Sequence, residues 1–284
     1  MKVLILGAGG MIGHIVLRVL NEKKSLEVFG TVRHTRVKAL LPAEIASRLT
    51  GEVDVETPDS LRSLMERICP DIVINCIGVT KHRPEADDPL VSIPINSLFP
   101  HRLAKLCAES GARMVHISTD CVFSGEKGAY TERDFTDARD LYGKSKALGE
   151  VSYPHTTTLR TSTIGHELES RHGLLDWFLS QGERCQGYTR AVFSGLPTVI
   201  FAHVIRDVVI PNPRLSGLFN IAAKPITKFD LLKKIAKEYD KIIEVIPNGD
   251  LVIDRSLDSN HFMHATGYVA PAWDEMIRFM HSYG

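Results

Sequence analysis

Three side chains in the middle of the sequence have the types and the spacing needed to move a proton at a carbonyl group. Tyr142 and Lys146 lie four residues apart in the segment LYGKSKALGE, so on a helix both project from one face. A cation beside a phenol favours the phenolate and lets the phenol exchange a proton near neutral pH. The hydroxyl of Thr119, directly after the apolar run MVHIS, can donate a hydrogen bond to a carbonyl oxygen. The spacing predicts a catalytic set; the alternative is an exposed Tyr beside a solvated Lys.

A glycine-rich segment near the N-terminus, GAGGMIG, predicts a site for a dinucleotide. Gly7, Gly10 and Gly13 are spaced three apart, after an apolar run and before a helical pattern. Such glycines allow a tight turn and let a pyrophosphate approach the N–H groups at the start of a helix. We expect Met11 and Ile12, between the glycines, to contact the cofactor as well. The alternative is a glycine-rich turn that binds no ligand.

The end of the second apolar run indicates which dinucleotide binds. An NAD site has Asp or Glu about 20 residues past the glycines, to hold the ribose 2′-hydroxyl. This chain has Arg33 there, followed by His34 and Arg36, and cations suit a 2′-phosphate. We therefore expect NADPH, with NADH possible; the alternative is that Arg33 and Arg36 belong to a solvated loop.

Later segments supply further predicted cofactor contacts. Asp54, in the short run GEVDV, is positioned to accept from the adenine amino group, or else to begin the helix that follows. The NCIG stretch ends another apolar run where a cofactor would cross the edge of the sheet. The predicted contacts are Asp54, Val55, Cys76, Ile77, Gly78, Asn96, Tyr142 and Lys146.

Short apolar runs alternate with amphipathic segments, which predicts an α/β fold with a Rossmann-type, doubly wound parallel sheet. Thr57 and Pro58 mark the start of one helix, and Thr227 with Asp230 has the spacing of a capping box at another. After about residue 160 the pattern loosens into a smaller, mixed α/β C-terminal substrate lobe. We expect an NADP-binding domain at 1–160, with parts of 195–222 returning to it, and a mainly substrate-binding lobe at 161–284.

Composition narrows the class of partner. The 34 basic and 34 acidic residues balance, which argues against nucleic acid or an anionic membrane as the ligand. The five cysteines are scattered and the twelve histidines have no ligand spacing, so neither a disulfide framework nor a metal site is predicted. No apolar stretch is long enough to span a membrane. We expect a soluble, cytoplasmic protein that acts on a small molecule.

These motifs resemble those of extended short-chain dehydrogenases/reductases, and most closely those of the dTDP-4-dehydrorhamnose reductase group of nucleotide-sugar 4-ketoreductases. The resemblance covers nearly the whole chain and rests on GAGGMIG, STDCVFSG, YTERD, YGKSKALGE, RSLDSNHF and GYVAPAW. It implies NADPH-dependent reduction of the C4 ketone of a nucleotide-linked 4-keto-6-deoxy sugar. Tyr142 would donate the proton, Lys146 would hold the nicotinamide ribose and Thr119 would polarise the carbonyl. The resemblance is compatible with a monomer or a homodimer.

The resemblance also implies substrate-binding residues. Arg255 would face the nucleotide diphosphate unless it is a surface cation, and Trp177 and Phe193 would stack on the base unless they pack in the core. The predicted set is Thr80, Asp120, Cys121, Trp177, Arg190, Phe193 and Arg255.

One residue departs from the pattern, because Cys121 stands where the reductase group usually has Tyr. GDP-fucose synthase, a related enzyme, uses a Cys at this spacing with a His to epimerise carbons beside the ketone. Cys121 with His166 is the corresponding pair here, and a combined 3,5-epimerase/4-reductase is one alternative. A 4,6-dehydratase would need Glu in place of Cys121 and is disfavoured. A further alternative is a non-catalytic, NADP-binding regulatory subunit, since that class resembles the same reductases.

Overall fold

The computed structural model describes residues 1–81, 84–169 and 171–284. Within this part of the chain, seven parallel strands form one central sheet in the order β11-β6-β5-β4-β1-β2-β3. The strands are β1 Lys2–Leu6, β2 Glu27–Val32, β3 Leu49–Gly51, β4 Ile72–Asn75, β5 Arg113–Thr119, β6 Thr156–Thr161, β7 Thr163–Ile164, β8 Arg184–Tyr188, β9 Ala191–Phe193, β10 Leu196–Pro197, β11 Gly217–Asn220, β12 Ile226–Thr227, β13 Glu244–Asn248 and β14 Ile253–Asp254.

Helices cover both faces of the sheet and build the C-terminal part. The α-helices are α1 Met11–Asn21, α2 Ala43–Ala46, α3 Pro58–Ile68, α4 Pro89–Ser92, α5 Phe99–Ser110, α6 Leu141–Leu148, α7 Leu174–Ser180, α8 Thr198–Val204, α9 Lys228–Glu238, α10 Asn260–Thr266 and α11 Trp273–Tyr283. Short 3₁₀ segments lie at Thr35–Leu40, Pro84–Asp87 and Asp120–Val122, and π-helical segments at Ile93–Leu98 and Ile205–Val209.

The composition of the central strands follows from their burial on both faces. In β1 the residues Val3 to Leu6 are fully buried, as expected for a parallel strand covered by helices. The threonine-rich β6 is buried as well, because its hydroxyls find main-chain acceptors: Thr157 donates to Leu215 O at 2.5 Å and Thr158 to Val151 O at 2.6 Å. A polar strand is therefore stable inside the sheet.

The two predicted helix starts differ in outcome. Strand β3, before the first of these helices, is Leu49–Gly51, and Glu52, with a left-handed φ of 59°, ends its extended backbone. Thr57 does precede α3, but its hydroxyl donates to Asp54 instead of capping the helix. At α9 the predicted cap is confirmed, since the Thr227 hydroxyl accepts from the Asp230 amide at 3.0 Å.

The strand order places a cleft above the centre of the sheet. From β1 the chain runs outward through β2 and β3 on one side, and from β4 outward through β5 and β6 on the other. The connections therefore diverge between β1 and β4, and doubly wound sheets bind ligands outside the carboxyl ends of the strands at such a point. The segments after β1, β4, β5 and β6 all line this cleft.

The C-terminal part packs directly on the sheet. Strand β11 joins the central sheet beside β6, and α8 and α11 belong to the same apolar cluster as α1. Beyond it, β9 pairs with β12 on one side and β14 on the other. This small sheet lies on the loop after β5, where an added Cβ on Gly125 would come 2.4 Å from Ile253. It therefore stands above the segment that carries Thr119.

Candidate active site

The glycine turn between β1 and α1 has the geometry of a phosphate cradle. Gly7 has a φ of +81°, and a Cβ on Gly13 would lie 2.1 Å from the Gly7 carbonyl oxygen, so both positions require glycine. A Cβ on Gly10 would meet only that oxygen, at 3.5 Å, because Gly10 faces the open side of the turn. The first helical bond of α1 runs from His14 N to Gly10 O, so the amides of Met11 and Ile12 have no partner within the helix. Both residues line the cleft.

The charged residues beyond β2 and β3 take different roles. Arg33 is exposed directly after β2, and within the described residues it has no ion pair closer than 4.0 Å. Arg36, by contrast, donates to Glu169 at 2.8 Å. Asp54 accepts from Glu56 N at 2.9 Å and from the Thr57 hydroxyl at 3.1 Å, which is the helix-start arrangement. Among the described residues Arg33 is thus an exposed cation without an ion pair, and its contact with a 2′-phosphate stays a prediction. Contacts of Asp54 with adenine and of Val55 with the cofactor stay predictions as well.

The segment after β4 is held against α6 by Asn96. Cys76, Ile77 and Gly78 line the cleft, followed by Val79 and Thr80. The amide group of Asn96 accepts from Val79 N at 2.9 Å and donates to Val79 O at 3.0 Å and to the Ser145 hydroxyl at 3.1 Å. These bonds occupy its buried side chain, so Asn96 positions the cleft wall; a direct contact with a cofactor stays a prediction.

The end of β5 presents a hydroxyl, a carboxylate and a thiol to the cleft. Thr119 accepts from Cys121 N and donates to Asp120 Oδ1, both at 3.1 Å, which fixes its side chain. Burial raises the pKa of Asp120, opposed by Arg255 and by the Thr119 bond. Burial raises the pKa of the Cys121 thiol to about 11, so it is neutral at physiological pH.

Tyr142 reaches the same point because α6 approaches β5 closely. Asp140 caps the helix by accepting from Gly143 N at 2.6 Å. A Cβ on Gly143 would lie 2.2 Å from Cys121 O, so glycine is needed for this approach. Burial raises the pKa of Tyr142 well above its usual range. Cys121 and Asp120 add smaller effects in the same direction, and a hydrogen bond with the Thr119 hydroxyl opposes them. From the sequence, Lys146 was expected to lower the pKa of Tyr142. In the structure this pKa is raised instead, because desolvation of the phenol dominates.

Lys146 lies one turn further along α6, buried beneath the cleft. Its Nζ donates to Ile117 O at 2.8 Å, which leaves further N–H groups for a ligand. Burial lowers its pKa to about 8, and Glu150 opposes the shift.

A buried ion pair supports this lysine. Arg160 donates to both carboxylate oxygens of Glu150, at 2.7 and 2.6 Å, and Ser118 donates to the first of them at 2.7 Å. The three residues come from β5, β6 and the end of α6. Sequence reasoning missed this network, and it also missed Ser162 and Thr163, which line the cleft after β6.

The sequence profile of the family described as RmlD substrate binding domain matches residues 1–245. The chain belongs to this family. It is 26% identical over 173 residues to the dTDP-4-dehydrorhamnose reductase of Mycobacterium tuberculosis, which covers 57% of this chain and 50% of that protein. It is 28% identical over 259 residues to the dTDP-4-dehydrorhamnose reductase of Aggregatibacter actinomycetemcomitans, covering 87% of this chain and 82% of that one. The chain spans about half the length of several curated relatives that it matches.

A solved structure has the same fold as this chain. The dTDP-4-dehydrorhamnose reductase of Bacillus anthracis, solved in complex with NADP, superposes with a TM-score of 0.81 and 19% identity, covering 100% of this chain and 98% of that chain. This likeness confirms the predicted fold, a Rossmann-type, doubly wound parallel sheet.

The substrate residues predicted for this RmlD-family chain lie in different parts of the structure. Arg255 is at the cleft end: its Nε donates to Phe123 O at 2.8 Å and its Nη1 lies 3.6 Å from Cys121 Sγ. Phe193 is buried and packs on Trp273, so it belongs to the core, which was the alternative to stacking on a base. Trp177 is 38% exposed, which contradicts the core interpretation for that residue. Stacking of Trp177 or exposed Arg190 on a base stays a prediction.

The structure does not bring His166 to Cys121. His166 Nε2 lies 3.0 Å from the Tyr239 hydroxyl and Nδ1 lies 3.8 Å from Asp176. Neither partner lines the cleft that contains Cys121. The predicted pairing of His166 with Cys121 was therefore wrong, because the segment after β7 turns toward α7 and α9.

Across the described ranges, no group of three His, Cys, Asp or Glu side chains is arranged to hold a metal ion. None of the helices within those ranges has the length and apolar character needed to cross a membrane. The five cysteines are free thiols.

Proposed function

We propose that the protein reduces the C4 ketone of a nucleotide-linked 4-keto-6-deoxy sugar, with NADPH as the reductant. The observation that carries the proposal is that Thr119, Tyr142 and Lys146 line one cleft together with Met11 and Ile12, the first residues of α1 after the glycine turn. The family and the names of the relatives, several of them dTDP-4-dehydrorhamnose reductases, support the same substrate class.

The residues around the cleft fit a dinucleotide. The open side of Gly10 and the amides at the start of α1 suit a pyrophosphate, and exposed Arg33 suits a 2′-phosphate. Lys146 is placed to donate to ribose hydroxyls from its remaining N–H groups. When bound, NADPH supplies the hydride for the carbonyl carbon.

The protein's own residues handle the proton. Because burial raises the pKa of Tyr142, its phenol is neutral at pH 7 and donates the Oη proton to the ketone oxygen. Thr119 donates a hydrogen bond to the same oxygen after its hydroxyl turns away from Asp120 Oδ1. Lys146 keeps a positive charge below a pH of about 8, which stabilises negative charge developing on the oxygen.

The test is NADPH oxidation over a panel of dTDP-, UDP- and GDP-linked 4-keto-6-deoxy sugars in deuterated buffer, with NMR of the product. We expect turnover without enzyme-dependent deuterium at C3 or C5. Tyr142→Phe should lower kcat by roughly 100-fold or more, as loss of a general acid does, while NADPH binding measured by fluorescence is retained.

Two outcomes would contradict the proposal. Deuterium at C3 or C5 with inverted configuration would indicate an epimerase/reductase that uses Cys121 with a base other than His166. Tight NADPH binding without oxidation on any sugar of the panel would instead favour the regulatory-subunit alternative.

The remaining parts of the proposal concern organisation. We assign cofactor binding to residues 1–160 together with parts of 195–222, supported by the position of β11 beside β6, and substrate binding mainly to 161–284. We propose a cytoplasmic location, since NADPH is the reductant, and a monomer or homodimer, which light scattering would distinguish.

A further inference from the structure

Three cations from separate segments surround the Asp120–Cys121 end of the cleft. Arg255 touches Cys121 Sγ at 3.6 Å, and its bond to Phe123 O holds the guanidinium in place. Lys81 lines the cleft after β4. Lys228, the half-buried first residue of α9, is in electrostatic range of Lys81, Asp120, Cys121 and Arg255.

The small C-terminal sheet explains how two of these cations meet. Strand β9 pairs with β12 along one edge and with β14 along the other. Lys228 directly follows β12 and Arg255 directly follows β14. These two strands run in opposite directions along the three-residue β9, so Lys228 and Arg255 leave the small sheet at its two ends, within electrostatic range of each other. Lys81 comes from a third segment, after β4. The convergence is therefore built by the fold and does not depend on neighbouring positions in the chain.

The charges at this point do not balance. Among the described residues, Asp120 is the carboxylate that acts on Lys228, and the Cys121 thiol is neutral, so the three cations have one acidic group beside them. Within the described residues, Lys81, Lys228 and Arg255 form no ion pair closer than 4.0 Å. Burial and the other cations lower the pKa of Lys228, so the charged form of this side chain is destabilised by its surroundings. Unpaired cations at the end of a ligand cleft indicate an anion in the ligand.

We propose that Lys81, Lys228 and Arg255 form an anion-binding subsite for the substrate, adjacent to the reacting carbon. The inference rests on the proposed function, because Thr119, two residues before Cys121, marks where the ketone lies. The ligand group is a phosphate or a carboxylate. It comes either from the nucleotide diphosphate or from an acidic substituent on the sugar ring.

Binding measurements separate the two sources without requiring turnover. Titration calorimetry with UDP-glucose and UDP-glucuronate, which differ by one sugar carboxylate, is compared with UDP, dTDP and uridine. We expect Lys228→Met to weaken the anion-dependent binding roughly tenfold, as loss of a charged hydrogen bond does. A diphosphate ligand predicts equal weakening for UDP, UDP-glucose and UDP-glucuronate; a sugar carboxylate predicts weakening for UDP-glucuronate alone, and tighter binding of it by the unmodified protein.

Two further variants complete the test. Lys81→Met gives an independent measurement should Lys228→Met fold poorly, and Lys237→Met removes an exposed cation from the same helix as a control that should bind every probe normally. Unchanged binding in both Lys81→Met and Lys228→Met, or no binding of any probe by the unmodified protein, would overturn the subsite. Because no keto sugar or NADPH oxidation enters the assay, the subsite and the proposed reduction succeed or fail separately.

Discussion

At the scale of single residues, Lys146 is the group whose charge is most finely balanced. Its Nζ is buried against Ile117 O, which disfavours the charged form, while Glu150 favours it. The result is a pKa of about 8, close to physiological pH. Glu150 therefore raises the pKa of Lys146, although it is itself paired with Arg160.

We expect kcat/KM to fall as pH rises through about 8, because Lys146 loses its proton there while Tyr142 stays protonated. Glu150→Gln removes the negative charge that raises the pKa of Lys146, so the fall should move to lower pH. The measurement is the pH profile of NADPH oxidation for both proteins.

The control for this experiment is Glu126→Gln, which removes an exposed carboxylate paired with Arg139 and should leave the profile in place. Since Glu150→Gln leaves Arg160 with a weaker partner, its melting curve must show that it is folded at the assay temperature. An alkaline limb at the same pH in Glu150→Gln would show that Glu150 has no such role.

At the scale of elements, the turn from β1 to α1 separates two uses of glycine. Gly13 permits contact between the helix and the Gly7 carbonyl, so its role is in the fold. Gly10 has a φ of −79° and room for a Cβ, so its role is toward a ligand.

Gly13→Ala should lower the melting temperature and NADPH affinity together, because its Cβ would lie 2.1 Å from Gly7 O. Gly10→Ala should leave the melting temperature nearly unchanged and weaken NADPH binding roughly tenfold or more, because the methyl group would stand where the pyrophosphate approaches. Thermal melts and fluorescence titration of NADPH measure the two effects. Normal NADPH affinity in Gly10→Ala would argue against binding at this turn.

The elements also show how far sequence alone can go. Strands β1, β4 and β5 and the helices after them follow from apolar periodicity, and the Tyr142–Lys146 spacing identifies one face of α6. The proximity of Lys228 to Asp120 could not be predicted, because its place depends on β9 pairing with both β12 and β14. The predicted pairing of His166 with Cys121 was wrong for the same reason, because their separation along the chain does not determine where the segment after β7 turns.

At the scale of the whole molecule, α1 joins the cofactor side to the C-terminal part. One apolar cluster contains Leu17 of α1, Val204 of α8 and Ile277 of α11. His14 lies in this packing, 2% exposed, with Nδ1 2.9 Å from Gly10 O. Burial lowers its pKa to about 4, so the folded protein holds it neutral.

This burial predicts a loss of stability in mild acid. The pKa of His14 is about 4 when folded and 6.5 in the reference state, so between these values the unfolded chain binds the extra proton. The stabilisation is fully present above pH 6.5 and is lost as pH falls toward 4, amounting to about 3 kcal/mol from a shift of this size.

His14→Asn retains a donor for Gly10 O but does not titrate. Urea unfolding from pH 7 to pH 4 should therefore show a shallower decline in unfolding free energy for His14→Asn than for the unmodified protein. His264→Asn, at an exposed position, should keep the original slope, and an equally steep decline in His14→Asn would show that other groups account for it.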